Sequence, residues 1–98
     1  MRKSTKDMMA ALVDAGIEAA KIIDYEKLTR MDIARLAGCS PGLVSFYLGD
    51  METVRALIMR EAVERKVPEI VARGILDGHP EALDAGPALR KKCAALFR

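Results

Sequence analysis

The stretch TRMDIARLAGCSPGLVSFYL, residues 29–48, decides the fold of this chain. Thr29 and Asp32 have the spacing of a capping box, in which a hydroxyl and a carboxylate bind the free amides that open a helix. Gly38 follows the last apolar position of the pattern, where a left-handed residue commonly ends a helix. The stretch therefore predicts a short helix that begins at about Arg30 and ends before Gly38.

A second short helix follows directly. Ser40 is a typical N-cap residue, and Pro41 suits the first turn of a helix because its missing amide hydrogen would have no partner there. The apolar pattern then continues to about Leu48. Two short helices joined by a glycine-containing turn form a helix-turn-helix, whose second helix has the size of the major groove of DNA.

These residues resemble the N-terminal DNA-binding domain of the tetracycline repressor (TetR) family, and the resemblance extends weakly from Tyr25 to Leu57. It implies a DNA-binding head followed by a long fourth helix. The chain departs from the family pattern at Ser45, where an aromatic residue is usual, and at Met51, where a lysine is usual. The matching residues are Thr29, Asp32, Ile33, Ala34, Ala37, Gly38, Ser40, Gly42, Val44 and Tyr47.

The second helix should have one buried and one outward side. Val44 and Leu48 are four residues apart and define the buried side. No Arg, Asn, Gln or Lys lies between Ser40 and Leu48, so this helix cannot read guanine or adenine through bidentate hydrogen bonds. Sequence preference would rest on hydroxyl, apolar and water-mediated contacts, on DNA shape and on the amino-terminal arm. The alternative is that Leu43 or Phe46 packs against another helix. We assign groove contacts to Pro41, Gly42, Leu43, Ser45 and Phe46.

Phosphate contacts are expected around the start of the first of these two helices. A helix N-terminus flanked by cations favours an anion through its free amides and its dipole. The alternative is that Thr29 only caps the helix. We assign phosphate contacts to Lys27, Thr29, Arg30, Ser40 and Tyr47.

The N-terminal region predicts one long helix. Its apolar positions recur at steps of three or four, which places a helix over about Thr5 to Asp24. Arg2, Lys3 and Lys6 form a basic arm at its amino end, which either is simply solvated or contacts phosphate or the minor groove.

The sequence beyond the helix-turn-helix also predicts helices. Asp50 caps a fourth helix, which Pro68 should end or kink near Lys66. Arg55, Arg60, Arg65 and Lys66 are interpreted as part of its solvated face. Three further helical segments are expected over about 67–76, 81–85 and 88–97, with Leu76, Leu89, Cys93, Leu96 and Phe97 among their apolar positions.

The predicted fold class is therefore all-α, with a helix-turn-helix head and helix four at 1–66 and a short helical tail at 67–98, all in one compact domain. A hydrophobic share of 51% with only 4% aromatic residues favours packed helices. The tail is too short to enclose an effector pocket of a few hundred Å³. It either packs back on the head or pairs with a second copy; the residues assigned to dimerisation are Ile70, Ile75, Leu89, Leu96 and Phe97.

Composition narrows the class of protein. The net charge of +2 is too small to argue for nucleic acid by itself. No apolar stretch is long enough to span a membrane, and the start of the chain lacks the apolar region of a signal peptide. Parity alone allows a disulfide between Cys39 and Cys93, but reduced thiols in a cytoplasm are the better interpretation. With His79, these cysteines lack the close pairs typical of structural zinc sites.

The sequence thus predicts a small DNA-binding transcriptional regulator. We expect a cytoplasmic repressor that binds a palindromic operator as a homodimer, without a cofactor, a membrane or a small-molecule effector. The alternative is a protein-interaction module, such as an antirepressor or accessory factor, that keeps the fold without the DNA contacts. No paired nucleophile and base or phosphate-binding loop is present to indicate an enzyme.

Overall fold

The structure, a computed structural model, describes residues 4–96, and this part of the chain consists of helices and turns without a strand. The predicted all-α fold class is confirmed. A 3₁₀ turn, Tyr25–Lys27, joins the first two helices. The seven α-helices of the described range are α1 (Thr5–Ile22), α2 (Arg30–Ala37), α3 (Pro41–Leu48), α4 (Met51–Glu64), α5 (Pro68–Leu76), α6 (Pro80–Leu83) and α7 (Pro87–Ala95).

The two helices of the decisive stretch begin and end where their sequence predicts, whereas α1 and α4 are shorter than expected. Asp24 does not extend α1, because its carboxylate accepts a hydrogen bond from the Glu26 amide at 3.2 Å and so caps the 3₁₀ turn. Helix α4 ends at Glu64 because Lys66 adopts a left-handed conformation, with φ of 57°. The chain has therefore left the helix before Pro68 can interrupt it.

Head and tail share one hydrophobic core. Leu12 of α1, Ile33 of α2 and Ile58 of α4 are fully inaccessible to solvent, and Ile70 of α5 joins them. Helices α5 and α6 pack on α4, and α7 packs on α5. Of the two arrangements expected for the tail, the structure shows the one in which it packs back on the rest of the subunit.

Two glycines allow the helices to approach closely. A Cβ atom on Gly16 of α1 would lie 2.7 Å from the Ile58 Cδ1 atom of α4. A Cβ atom on Gly74 of α5 would lie 2.6 Å from the Met59 Cε atom and 2.7 Å from the Ala82 Cβ atom. Because α5 meets α4 and α6 at this point, Gly74 sets how tightly the tail packs on the head.

The packing changes which tail residues could meet a partner. Ile70 and Leu89 are buried inside the subunit, so they are not accessible to a second copy, contrary to their assignment to dimerisation. Leu76, expected on a buried face, is 59% exposed. Leu96 is 51% exposed. Phe97, assigned to the same surface, lies outside the described residues.

Two arginines of α4 form ion pairs with side chains of other helices. Arg60 pairs with Glu81 at 3.3 Å and thereby joins α4 to α6. Arg65 binds Glu61 on its own helix and Asp14 on α1. Arg60, Arg65 and Lys66 are exposed, as expected for a solvated face, and the pairs with Glu81 and Asp14 additionally link α4 to α6 and α1.

Three further findings concern membrane spans, metal sites and cysteines. No helix within residues 4–96 is long and apolar enough to cross a membrane. The same residues hold no cluster of His, Cys, Asp and Glu side chains that could bind a metal ion. Cys39 and Cys93 are free thiols.

Candidate nucleic-acid interface

The turn between α2 and α3 is built from three residues with distinct conformations. Gly38 is left-handed, with φ of 72° and ψ of 37°, and this conformation ends α2. The Cys39 amide then donates to the Ala34 carbonyl at 3.0 Å. Ser40 returns to an extended conformation and begins α3. The turn thus holds the two helices in a fixed relation.

A complete capping box closes the start of α2. The Thr29 amide donates to the Asp32 carboxylate at 2.9 Å, and the Thr29 hydroxyl accepts from the Asp32 amide at 3.3 Å. The same hydroxyl lies 2.9 Å from the carboxylate and can donate to it. The hydrogen bond from the Thr29 amide is the main cause that lowers the pKa of Asp32 below its usual value. The Thr29 hydroxyl therefore accepts one hydrogen bond within the cap and donates another, and its donor hydrogen is used by Asp32.

The start of α3, in contrast, has no side-chain cap. Ser40 makes no side-chain capping bond, and the first turn of α3 contains no carboxylate. At the next helix, the Asp50 carboxylate accepts from the Thr53 amide at 2.8 Å, and this bond is the main cause that lowers the pKa of Asp50. The first turn of α3 itself thus lacks the negative charge that Asp32 and Asp50 place at the starts of α2 and α4.

Helix α3 has the two sides that its sequence predicts. Val44 and Leu48 are buried in the core. Phe46 is 77% exposed, and its ring meets the Tyr47 ring edge-on with centroids 5.0 Å apart. Phe46 therefore does not pack into another helix. Of the other residues assigned to groove contacts, Pro41 and Gly42 are exposed, and Leu43 and Ser45 are half-buried, as is Tyr47.

Three of the assigned residues line one cleft. Thr29, the N-cap of α2, and Arg30, its first residue, meet Pro41 of α3 around a volume of about 390 Å³, which Met51 of α4 also lines. The Nε atom of Arg30 is buried and has no hydrogen-bond partner among residues 4–96. The beginnings of α2, α3 and α4 thus converge beside Arg30, whose buried Nε donor is unsatisfied.

The remaining assigned residues lie outside this cleft. Lys27 is exposed at the end of the 3₁₀ turn. Ser40 is exposed at the start of α3. Neither residue is among those that line the cleft.

Sequence reasoning missed Arg55. Its Nε donates to the Tyr25 carbonyl at 3.2 Å, and its Nη2 donates to the Leu28 carbonyl at 3.2 Å. Arg55 thereby holds the segment that leads into α2, and its side chain also lines the cleft. The contacts join residues 27 and 30 positions apart, a separation over which helical spacing carries no signal.

Comparison of the chain with protein-family models, with curated proteins and with solved structures found no match in any of the three.

Proposed function

We propose that this protein is a small DNA-binding transcriptional regulator, of the kind that the TetR-like pattern implies. The observation that carries the proposal is that α3 buries one side in the core and exposes a large apolar side chain on the other. Its inner side is buried through Val44 and Leu48, while Phe46 is 77% exposed on the same short helix. A large apolar side chain held out from a helix of this size suits contact with thymine methyl groups in the major groove.

The electrostatics around α3 support the same proposal. Its N-terminus carries no carboxylate, and the free Ser40 hydroxyl lies beside it. Arg30 and Lys27 provide positive charge near the start of the preceding helix. Phosphate contacts from these groups would fix the orientation of the protein on the duplex. Because α3 is uncharged, base discrimination per half-site would be modest.

Modest discrimination makes a homodimer part of the proposal. Two copies related by a two-fold axis would place their α3 helices about 34 Å apart and would read a palindromic operator. Leu96 is the predicted dimerisation residue with the most accessible described side chain, so we place the contact at the end of α7. The regulator would act as a repressor by covering a promoter.

Fluorescence anisotropy tests the proposal directly. The purified protein is titrated onto labelled DNA from upstream of its own gene and onto a scrambled duplex, at low and at physiological salt. Tight binding to the upstream duplex alone, weakening as salt rises, is the expected result, because binding to phosphates releases counterions. Equal or absent binding to the two duplexes would contradict a sequence-specific regulator.

A pair of substitutions at Ser40 isolates the proposed phosphate contact. Asp and Asn are equally good N-cap residues, so Ser40→Asp and Ser40→Asn should both keep α3 intact. Only Ser40→Asp places a negative charge where phosphate is expected. We expect Ser40→Asp to weaken DNA binding by about tenfold relative to Ser40→Asn. Equal affinities of the two variants would remove Ser40 from the interface.

The alternative function is a protein-interaction module. The observation in its favour is also at α3, because a neutral helix that exposes Phe46 suits an apolar protein groove as well as DNA. Substitution of Phe46 would impair either activity and so cannot separate them. The salt dependence of the affinity separates the two functions. The affinity of uncharged α3 for a protein would change little with salt, whereas the affinity for DNA would fall steeply as salt rises.

A further inference from the structure

The tail presents an apolar groove between α5 and α7, remote in sequence from α3. Ile75 and Leu76 form its α5 side, and Pro87 and Ala94 form part of its α7 side. The groove has a volume of about 500 Å³. Leu76 is 59% exposed there, and Ile75 is half-buried, whereas Ile70 and Val71 of the same helix are buried. The Leu76 side chain therefore does not pack into the core of the subunit.

Positive charge borders the apolar surface. Arg90 and Lys91 of α7 line the groove, and both are exposed. Neither has a carboxylate within ion-pair distance in the described range, whereas Arg60, Arg65 and Arg73 are all paired. The lining residues of the groove include no Asp or Glu. A partner that covers the groove must therefore match an apolar floor and a positive wall.

We propose that this groove binds an acidic amphipathic helix of a partner protein. The apolar side of such a helix would cover Ile75 and Leu76, and carboxylates along its edge would pair with Arg90 and Lys91. The complementary charge would orient the helix and raise its rate of association. This inference does not rest on DNA binding, because it uses no residue of α2 or α3.

A second copy of the chain fits the groove less well. A two-fold contact centred on the groove would bring Arg90 and Lys91 against the same residues of the other subunit, and like charges in close contact are destabilising. Leu96, where we place the dimer contact, lies five and six positions beyond these residues. At 3.6 residues per turn it faces a different side of α7. The two surfaces can therefore be tested separately.

The test uses a fluorescein-labelled peptide of sixteen residues with Leu at every third or fourth position and Glu and Ala elsewhere. A matched peptide carries Lys in place of each Glu. We expect the full-length protein to bind the Glu peptide at least about tenfold more tightly than the Lys peptide at low salt, with the difference shrinking as salt rises. Equal binding of the two peptides, or no binding of the Glu peptide, would overturn the proposal.

Variants locate the binding to the groove. The double variant Arg90→Glu with Lys91→Glu should weaken Glu-peptide binding by about tenfold, while Lys92→Glu, on the same helix but outside the groove, should change it less than about twofold. Leu76→Ser should weaken binding, and Leu36→Ser, at a similarly exposed leucine of α2, should not. These residues are exposed, so circular dichroism spectra should be unchanged. Equal effects of lining and control substitutions would contradict the assignment.

The oligomeric state of the protein tests whether a second copy of the chain fills the groove instead. If the protein sediments as a dimer and Leu76→Ser alone converts it to a monomer, the groove is filled by a second copy and the proposal is wrong. If Leu76→Ser leaves the mass unchanged while it weakens Glu-peptide binding, the groove serves the acidic helix. Loss of DNA binding through Ser40→Asp would leave the peptide affinity unaltered in that case.

Discussion

Helices α2 and α4 both end at a left-handed residue, and only one of these residues is a glycine. Gly38 has φ of 72°, and Lys66 has φ of 57°. A side chain raises the energy of this conformation by about 1–2 kcal/mol, because Cβ crowds the following carbonyl oxygen. The end of α4 therefore stores strain that the end of α2 avoids. The Val67 amide, which donates to the Ala62 carbonyl at 2.9 Å, maintains the strained turn.

Substitutions at these two positions should have opposite effects on stability. Gly38→Ala should lower the free energy of unfolding by about 1 kcal/mol, and the cost is purely conformational because no heavy atom beyond its chain neighbours lies within 4 Å of the new Cβ. Lys66→Gly should raise that free energy by about 0.5–1 kcal/mol, after the added entropy of the unfolded chain is subtracted. Urea unfolding measures both. Lys66→Ala removes the same charge without relieving the strain; a glycine variant no more stable than this control would contradict the expectation.

At the scale of helices, carboxylate caps make stability depend on pH. The Thr53 amide lowers the pKa of Asp50 in the folded protein below its ordinary value of 3.8. A lowered folded pKa means that the ionised cap contributes stability above the ordinary value and loses it as the pH falls through the folded one. Asp32 behaves likewise, with its pKa lowered by the Thr29 amide. Acid should therefore weaken the starts of α2 and α4 while leaving the start of α3 unaffected.

Asp50→Asn tests this dependence. Asn keeps the capping hydrogen bond but lacks the charge that interacts with the helix dipole. We expect the variant to melt below the wild-type protein at pH 7, and the two proteins to converge at a pH well below 3.8. Differential scanning calorimetry across this range gives the result. Ser40→Asn, which introduces no titrating group, should show no such convergence. A difference in melting temperature between Asp50→Asn and wild type that does not change with pH would contradict the expectation.

Helix boundaries were predictable where the signals are local. Thr29, Gly38 and Pro41 mark the ends of α2 and α3 within the stretch itself, and both helices matched. The end of α4 was misplaced because Pro68 was taken as the breaker, whereas the left-handed Lys66 acts first. The cleft residues of α2 and α3 could be named from their pattern, but Arg55 could not, because its partners are brought to it only by the folded chain.

At the scale of the whole molecule, head and tail should unfold together because they share one core. Gly74 lies where α5 meets α4 and α6. Its neighbour Ala82 belongs to α6 and presents a Cβ atom that cannot rotate away. Ile70 and Cys93 extend the same core into α5 and α7. The burial of Ile70 and Leu89 could not be predicted, because helical spacing identifies an apolar face but not whether that face meets its own subunit or another.

Gly74→Ala should lower the melting temperature in a single transition. A new methyl group 2.7 Å from the Ala82 Cβ overpacks the junction and should cost about 1–3 kcal/mol, despite the better helix propensity of Ala. For a domain of this size the melting temperature should fall by roughly 5–15 °C. Gly86→Ala is the control, because nothing lies within 4 Å of its Cβ. Separate melting of head and tail, or equal effects of the two variants, would contradict a shared core.

Leu96→Glu should convert the proposed dimer to a monomer. The side chain is half exposed, so the fold should tolerate the charge, whereas a second copy packed against it should not. Multi-angle light scattering after gel filtration measures the mass. Leu83→Glu on α6 is a control of similar exposure and should leave the mass unchanged. An unchanged mass for Leu96→Glu would exclude this contact.

The placement of the two tyrosines has a spectroscopic consequence. The chain contains no tryptophan, so its ultraviolet emission comes from Tyr25 and Tyr47 alone. Tyr25 is sealed in the core beside the His79 ring, while Tyr47 touches the exposed Phe46 on α3. Tyr47→Phe would leave Tyr25 as a pure reporter of folding, and the signal lost in that variant would report what happens at the surface of α3. The protein thus contains two intrinsic optical probes, one for its interior and one for the surface where we propose that DNA binds.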